Sequence, residues 1–334
     1  MNRLGLLGFS RRIASAITRM EVMMFNRLGL LGFSRRIASA ITRMEVMMFE
    51  HVKDVVKALE TDPDVATRAD AINALRRLGM GDFGVVLLSM PHPAYPKLSR
   101  LLPAMASEKA QRNWTGNHGL PLLQQTTEFV RAMSYNFARA TGRNLDDVRI
   151  LDYGCGYGRI ARLMYYFTAE EKFFGVDPWD QAISLCHEAG LTTNFLVSDY
   201  LPESLPVGSE KFDLIYAFSV FTHLSHRAMT AALHTLRKYI ADDGMLTITV
   251  RPIEYWQHDA HTTSAQKSAL VASHRNDGFA FKPHIREAID GDVTYGDTST
   301  GLGWIEANFP EWEIKGVDRC LSDTLQRYVF MTPR

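Results

Sequence analysis

From about residue 120 onward the chain alternates between two hydrophobic periods, short continuous apolar runs and stretches where apolar residues recur at helical spacing. Val148 to Leu151 reads as a buried strand, and Ile160, Leu163, Met164 and Phe167 then recur at i, i+3, i+4 and i+7, which predicts a helix. Further apolar runs at Phe173 to Val176, Asn194 to Val197 and Phe212 to Ala217 predict three more strands. A helix follows from about Arg227 to Ala241, broken at Asp242-Asp243-Gly244, and Met245 to Val250 shows the β-branched alternation of a fifth strand. Trp312 to Val317 and Arg327 to Met331 read as two last strands with no helix between them, hence a hairpin. Strands alternating with helices imply a mostly parallel sheet covered on both faces, with ligands at the carboxyl edge of the strands. Upstream, Phe129, Met133 and Phe137 mark a helix closed by Gly142, and residues 50 to about 110 read as helices punctuated by Pro91, Pro93, Pro96 and Pro103.

The chemistry is concentrated where the first strand meets its helix. Asp152-Tyr153-Gly154-Cys155-Gly156-Tyr157-Gly158 places three glycines two residues apart, which lets the backbone turn sharply and a ligand approach the main chain closely. The spacing differs from the G-x-G-x-x-G of a dinucleotide fingerprint, and a carboxylate just before the glycines would repel a pyrophosphate while suiting a cation. Asp177 ends the second strand nineteen positions beyond Gly158, close to the roughly 20-residue offset at which an acid reaches ribose hydroxyls. Cys155 reads as a small residue tolerated between glycines, since nothing near it in sequence lowers a thiol pKa. One acid at a strand end is as well explained by capping the next helix. Three acids at three successive strand ends, Asp152, Asp177 and Asp199, favour a site.

The order of these segments resembles the class I S-adenosylmethionine-dependent methyltransferases, over about residues 125 to 334. The resemblance implies a Rossmann-like α/β fold, a seven-stranded mostly parallel sheet finishing in an antiparallel hairpin. It implies S-adenosylmethionine as the cofactor, whose sulfonium and ammonium suit Asp152, and whose methionine and ribose lie against the glycine loop. By the same resemblance the acid of Ser198-Asp199-Tyr200 accepts a hydrogen bond from the adenine amino group, and Phe218 to Leu224 is the region where the cofactor meets its acceptor. The implied contact set is Asp152, Tyr153, Gly154, Cys155, Gly156, Asp177, Pro178, Trp179, Asp199, Tyr200 and Phe218. Trp179 has two readings, stacking on adenine or packing on the next helix.

Composition limits the remainder. The 334 residues are 46% apolar and 22% charged, enough for one enzyme domain and an accessory region. The 37 basic residues equal the 37 acids, so no global electrostatic footprint for nucleic acid exists. Three widely spaced cysteines form no disulfide framework, which with the lack of an 18-residue apolar span fits a cytoplasmic protein. Asn2 to Phe25 recurs unchanged as Asn26 to Phe49, giving the first 49 residues eight arginines against two glutamates, a net +6 balanced by −6 in the rest. Two identical 24-residue copies look like a duplicated stretch of DNA, a mis-set start or a cloning scar rather than a solenoid, which needs at least three units. Ile37, Ile41, Met44 and Met48 make a stripe beside Arg35, Arg36 and Arg43, a basic amphipathic helix suited either to docking on the acidic body or to peripheral contact with an anionic membrane. The expected divisions are therefore 1–49, a helical cap at 50–124, and a catalytic domain at 125–334 with an insertion at about 252–300.

Methyl transfer is an in-line displacement in which the protein aligns the acceptor and, for a hydroxyl, removes its proton. His223 is the expected general base, placed just after the fourth strand with an intrinsic pKa near neutrality, and His226 is a weaker second choice. Trp114, in the polar and aromatic run Asn113 to Gly119, is expected either to cover the cofactor or to anchor the cap. Arg251 suits a phosphate or carboxylate on the acceptor; Tyr255 and Trp256 suit a ring or sugar, or all three support a lid. Tyr295-Gly296-Asp297-Thr298 is expected to line the pocket from the other side. His258 and His261 lack a third ligand, and no metal is expected. The expected activity is methylation of a hydroxyl or amine on a small-molecule, carbohydrate or lipid-linked acceptor. The alternative is a catalytically silent scaffold of the same fold, and a dehydrogenase is a poorer third.

Overall fold

The structure, a computed structural model, describes residues 48–334, so the duplicated basic segment lies outside them but for its last two residues. The chain divides into two compact units, 1–53 and 54–334, and the second carries everything below. Its cap region contains the helices α1 (Glu50–Thr61, which begins in the first unit), α2 (Arg68–Leu75), α3 (Met80–Leu88), α4 (Pro96–Leu101) and α5 (Glu108–Thr115). Local sequence sets the ends. Thr67 and Asp70 close a capping box on α2, Pro96 opens α4, and α5 runs from a Ser107 cap to Gly116 at φ +74°. Trp114, expected in a loop, thus sits in the last turn of a helix. The long helix α6 (Gly119–Thr141) stops at Gly142, φ +71°, and buries Phe129, Met133 and Phe137 as their spacing predicts.

The sheet follows: β1 (Ile150–Tyr153), α7 (Arg159–Met164), β2 (Phe173–Asp177), α8 (Asp180–Glu188), β3 (Phe195–Val197), β4 (Phe212–Ala217), α9 (His226–Tyr239) and β5 (Ile240–Val250). An inserted stretch contains α10 (Tyr255–His258), α11 (Ser264–Asp277), β6 (Phe279–Pro283) and β7 (Gly296–Thr300), and α12 (Leu302–Asn308), β8 (Trp312–Arg319) and β9 (Arg327–Pro333) complete the chain. The seven-stranded sheet has the order β3-β2-β1-β4-β5-β9-β8, parallel through β5, with β9 and β8 antiparallel. The order reverses between β1 and β4, which places the ligand crevice at the carboxyl ends of these two strands. β1 is buried along its whole length, paired with β2 on one side and β4 on the other. Leu151 of β1, Val176 of β2, Ile215 of β4 and Ile248 of β5 join Phe221, Leu233 and Val329 in the main core.

Asp213, read from sequence as structural, receives the Arg143 guanidinium at 2.7 Å and the Arg149 amide at 2.8 Å, at the end of β4 opposite the site.

The insertion is not a loose lid. β6 and β7 pair antiparallel, and β7 lies across the carboxyl edge of the large sheet through backbone bonds from Gly296 N–H to His223 O (2.8 Å), Thr298 N–H to Thr222 O (2.9 Å) and Thr300 N–H to Arg251 O (3.0 Å). Every residue of β7 is buried although four of the five are polar. Three of these side chains find partners: Asp297 binds Arg251 and His284, Thr298 donates to Leu224 O at 2.6 Å, and Ser299 Oγ accepts from the buried Trp256 indole at 2.7 Å, while the buried Thr300 hydroxyl has none. Trp256 is therefore an anchor of the insertion and does not face a ligand.

Candidate active site

The glycine turn is built as its sequence requires. Gly154, Gly156 and Gly158 all have positive φ (+77°, +53° and +70°), the left-handed region that side chains disfavour. A Cβ on Gly154 would sit 2.3 Å from Val220, and one on Gly158 2.3 Å from Leu191, so those two positions also lack room. At Gly156 the nearest atoms are Trp114 ring carbons at 3.4 Å, an ordinary contact. The fully buried Arg162 holds the turn from beneath, donating to Tyr157 O at 2.8 Å, Gly158 O at 2.6 Å and Ala104 O in the cap at 2.7 Å. Asp177 closes it from the side, with Oδ2 accepting from Gly156 N–H and Oδ1 from Trp179 N–H, both at 2.9 Å. Burial raises the Asp177 carboxyl above its ordinary pKa, against these two amides.

Asp152, expected as a carboxylate that suits a cationic ligand, is deeply buried. It is 2% exposed, Tyr216 donates its hydroxyl to Oδ2 at 2.9 Å, and burial pushes its pKa up to about 8. Arg159, the residue that follows the last glycine, lies within electrostatic reach of it. The Arg159 guanidinium is held by neutral partners, Gln125 Oε1 at 2.8 Å and Thr126 Oγ1 at 3.2 Å, with the Phe218 ring 4.9 Å from its Cζ. Sequence reading passed over this residue because one arginine at the start of a helix carries no pattern.

Trp114 stacks on Trp179 with ring centroids 4.6 Å apart and planes 17° apart, and it meets Tyr157 edge-on. The two indoles, expected separately, form a pair that covers the glycine turn at Gly156. Asp199 and Tyr200 are exposed, and Tyr153 turns into the core against Phe221. The three carboxylates expected at the strand ends are thus one buried, Asp152, one half-buried, Asp177, and one exposed, Asp199. Tyr153 and Cys155 present backbone rather than side chain, Cys155 being buried with its thiol raised by burial.

A second polar cluster stands beyond β4 and β5. The loop after β4 is strained, with Ser219 at φ +60°, and its amide is held by Thr249 Oγ1 at 2.7 Å. His223 follows, stacked on Tyr295 at 5.0 Å and 8°. Its Nδ1 donates to Gly296 O at 2.7 Å, and its Nε2 faces Arg251 Nη2 at 3.4 Å. Burial, then the Arg251 charge, push its pKa down to about 4. Both ring nitrogens of His223, expected as the general base, thus face groups of the protein itself, Gly296 O and the Arg251 guanidinium. Arg251 is 2.5 Å from Asp297 Oδ1, and its Cζ lies 4.0 Å from the Tyr255 ring centroid. It is neutralised rather than free to bind an acceptor anion. Asp297 also receives His284 Nε2 at 3.0 Å, with Lys282 Nζ at 3.5 Å. Burial alone would raise this carboxyl, but the hydrogen bonds from His284 and Arg251 hold it well below the usual carboxylate range.

The two clusters are within electrostatic reach of each other: the charge of Asp177 acts on the Tyr295 phenol, and Asp323, in the β8–β9 turn, feels both Arg159 and Arg251. His226 packs instead among Phe279 and Trp304. Among the described residues no three His, Cys, Asp or Glu side chains are grouped to hold a metal.

Residues 123–281 match a family model described as a methyltransferase domain. No curated protein matches the chain. Among solved structures the chain is similar to the plantazolicin methyltransferase in complex with SAH, at 13% identity and a TM-score of 0.44, covering 80% of this chain and 99% of that one. It is similar to the magnesium protoporphyrin IX methyltransferase of Synechocystis PCC 6803 with bound SAH (14% identity, 68% and 94% covered, TM-score 0.43). A third is an S-adenosylmethionine-dependent methyltransferase of Clostridium acetobutylicum ATCC 824 (12% identity, 67% and 96% covered, TM-score 0.43). Residues 123–281 are thus a methyltransferase domain, carried on a seven-stranded, mostly parallel sheet that ends in an antiparallel hairpin, the Rossmann-like fold of the class I S-adenosylmethionine-dependent methyltransferases.

Proposed function

We propose that this protein binds S-adenosylmethionine against the glycine turn and transfers its methyl group to a hydroxyl or amine of a small-molecule, carbohydrate or lipid-linked acceptor seated beside β7. The observation that carries the reading is the turn itself, three left-handed glycines whose central amide is held by Asp177 Oδ2 at 2.9 Å. The residues fit the group. The absent Cβ atoms leave a backbone cradle, Asp177 retains lone pairs for ribose hydroxyls, and the buried Asp152 with the half-buried Arg159 offers a carboxyl and a guanidinium for the zwitterionic methionine end. Trp114 and Trp179 supply aromatic faces for the adenine, with the stacked pair parting to admit it.

When bound, the sulfonium supplies an activated methyl group with an excellent leaving group. The chain's own task is alignment and water exclusion: α5 closes over the turn, β7 walls the acceptor side, and the strained Ser219 loop joins them. Calorimetric titration with S-adenosylmethionine and with its demethylated product tests the reading. Binding of both is expected, and silence with both would favour a scaffold that keeps the fold without turnover.

A further inference from the structure

The insertion brings together a histidine and a carboxylate in a relation that no motif in the sequence marks. His284 follows β6 and Asp297 is the second residue of β7, so the pairing of these strands sets them side by side. Asp297 Oδ2 accepts from His284 Nε2 at 3.0 Å, which fixes the ring as the tautomer with its lone pair on Nδ1. That Nδ1 has no partner among the described residues, and the His284 side chain is 38% exposed. The ring centroid lies 5.7 Å from that of Tyr295 and 6.2 Å from that of His223, which places it on the wall beyond β4. Asp297 is itself kept ionised by Arg251, whose other nitrogen turns toward the lone pair of His223. One histidine of the cluster is therefore tied down at both nitrogens, and the other is oriented by a carboxylate with one nitrogen open.

Resting on the methyl-transfer reading above, we infer that His284 is the general base for a hydroxyl acceptor, with Asp297 as its positioning residue. In the step, the acceptor oxygen forms its bond to the methyl carbon while the carbon–sulfur bond breaks and its electron pair stays on sulfur. The hydroxyl proton passes to His284 Nδ1, the imidazolium is stabilised by Asp297, and the proton leaves to water. An amine that attacks as its neutral form needs no such group before the displacement, so the arrangement assigns oxygen rather than nitrogen as the atom methylated. The charged and titratable groups around His284 are Asp297, Arg251, Lys282, His223, Tyr295 and Arg286, the last over the Tyr295 ring at 4.2 Å.

The test compares acceptors that do and do not need deprotonation. The full chain and its His284→Gln variant are given S-adenosylmethionine with phenol or with 4-nitrophenol, at a mildly alkaline pH where the second is ionised and the first is not. The variant is expected to lose about 100-fold or more in kcat on phenol with KM little changed, and to keep most of its rate on 4-nitrophenolate. Raising the pH is expected to restore part of the phenol rate. Asp297→Asn is expected to show the same selectivity between the two acceptors. Equal losses on both phenols, or none on either, would overturn the assignment. So would a wild-type chain that binds the cofactor by calorimetry yet methylates neither phenol. Absence of cofactor binding in the wild type removes the methyl-transfer reading, and this inference with it.

Discussion

The proton on Asp152 gives the sharpest handle on the site. Its carboxyl is pushed up to about 8 in the folded chain against an ordinary 3.8, chiefly by burial, with one hydroxyl donor in compensation. Between these pH values the folded protein holds a proton that the unfolded chain has released, so stability falls as pH rises. The contribution is complete below about pH 4 and is lost by the time the pH has passed about 8, at up to about 1.4 kcal/mol per unit, or about 6 kcal/mol in all. Asp152→Asn leaves an amide that accepts the Tyr216 hydroxyl and cannot ionise. Urea unfolding of both proteins between about pH 5 and pH 8 is therefore expected to show the wild type losing about 4 kcal/mol relative to the variant. Curves that stay parallel across that range would refute the buried, protonated carboxyl. The same proton links to function. A sulfonium and an ammonium beside Asp152 favour its ionised form, so cofactor binding near neutral pH is expected to release a proton. Calorimetry in buffers of different ionisation enthalpy measures it, and the release should fade above about pH 8 and vanish in Asp152→Asn.

Other perturbations separate the parts of the turn. Gly158→Ala combines a left-handed φ with a Cβ 2.3 Å from Leu191 and is expected to cost about 2–5 kcal/mol in denaturant titrations, whereas Gly156→Ala, with room beside Trp114, costs about 1–2 kcal/mol yet loses most of its cofactor affinity. Similar stability losses, or full affinity in Gly156→Ala, would contradict the packing described. Asp177→Ala is expected to weaken S-adenosylmethionine binding by about 1–3 kcal/mol by calorimetry, and an unchanged affinity would reassign the ribose contact. Cofactor addition is expected to change tryptophan fluorescence as the Trp114 and Trp179 rings separate, a change that Trp114→Ala should lack.

What could be read from sequence was what repeats. The central strands of the large sheet carry continuous apolar runs because both faces are covered, and these runs mark their positions along the chain. The glycine turn was legible because its backbone leaves few substitutes. The boundary at β5 was read late, from Met245 rather than Ile240, because a register shift lies between Phe212 and Leu214 where Gly244 approaches Asp213 O. β7 was invisible as a strand. Gly-Asp-Thr-Ser-Thr has no apolar period, and it is buried because its backbone and the Thr298 and Ser299 hydroxyls find partners on the 222–224 loop, Arg251 and Trp256. His284 went unmarked for the same reason, since its meaning comes from a cross-strand neighbour. Asp297 was placed in the pocket from its segment, but not as the hub that four side chains share.

The two buried carboxyls of the site are separated by their partners rather than by their depth. Asp152 and Asp297 are both nearly out of water, and desolvation pushes each toward its neutral form. Asp152 has one neutral donor, Tyr216, and keeps its proton; Asp297 has a guanidinium, an imidazole and an ammonium, and loses it. A carboxyl that ionises only when a cation arrives suits the end of the site that takes a charged methyl donor, because in the empty state it leaves no uncompensated anion buried. A carboxyl that is permanently ionised suits the end where a histidine must be oriented and its transient charge balanced. The sheet sets these two environments about β1 and β4, and the insertion that carries β7 supplies the second. The sheet thus builds the environment of Asp152, while the polar strand laid over its edge builds that of Asp297 and His284.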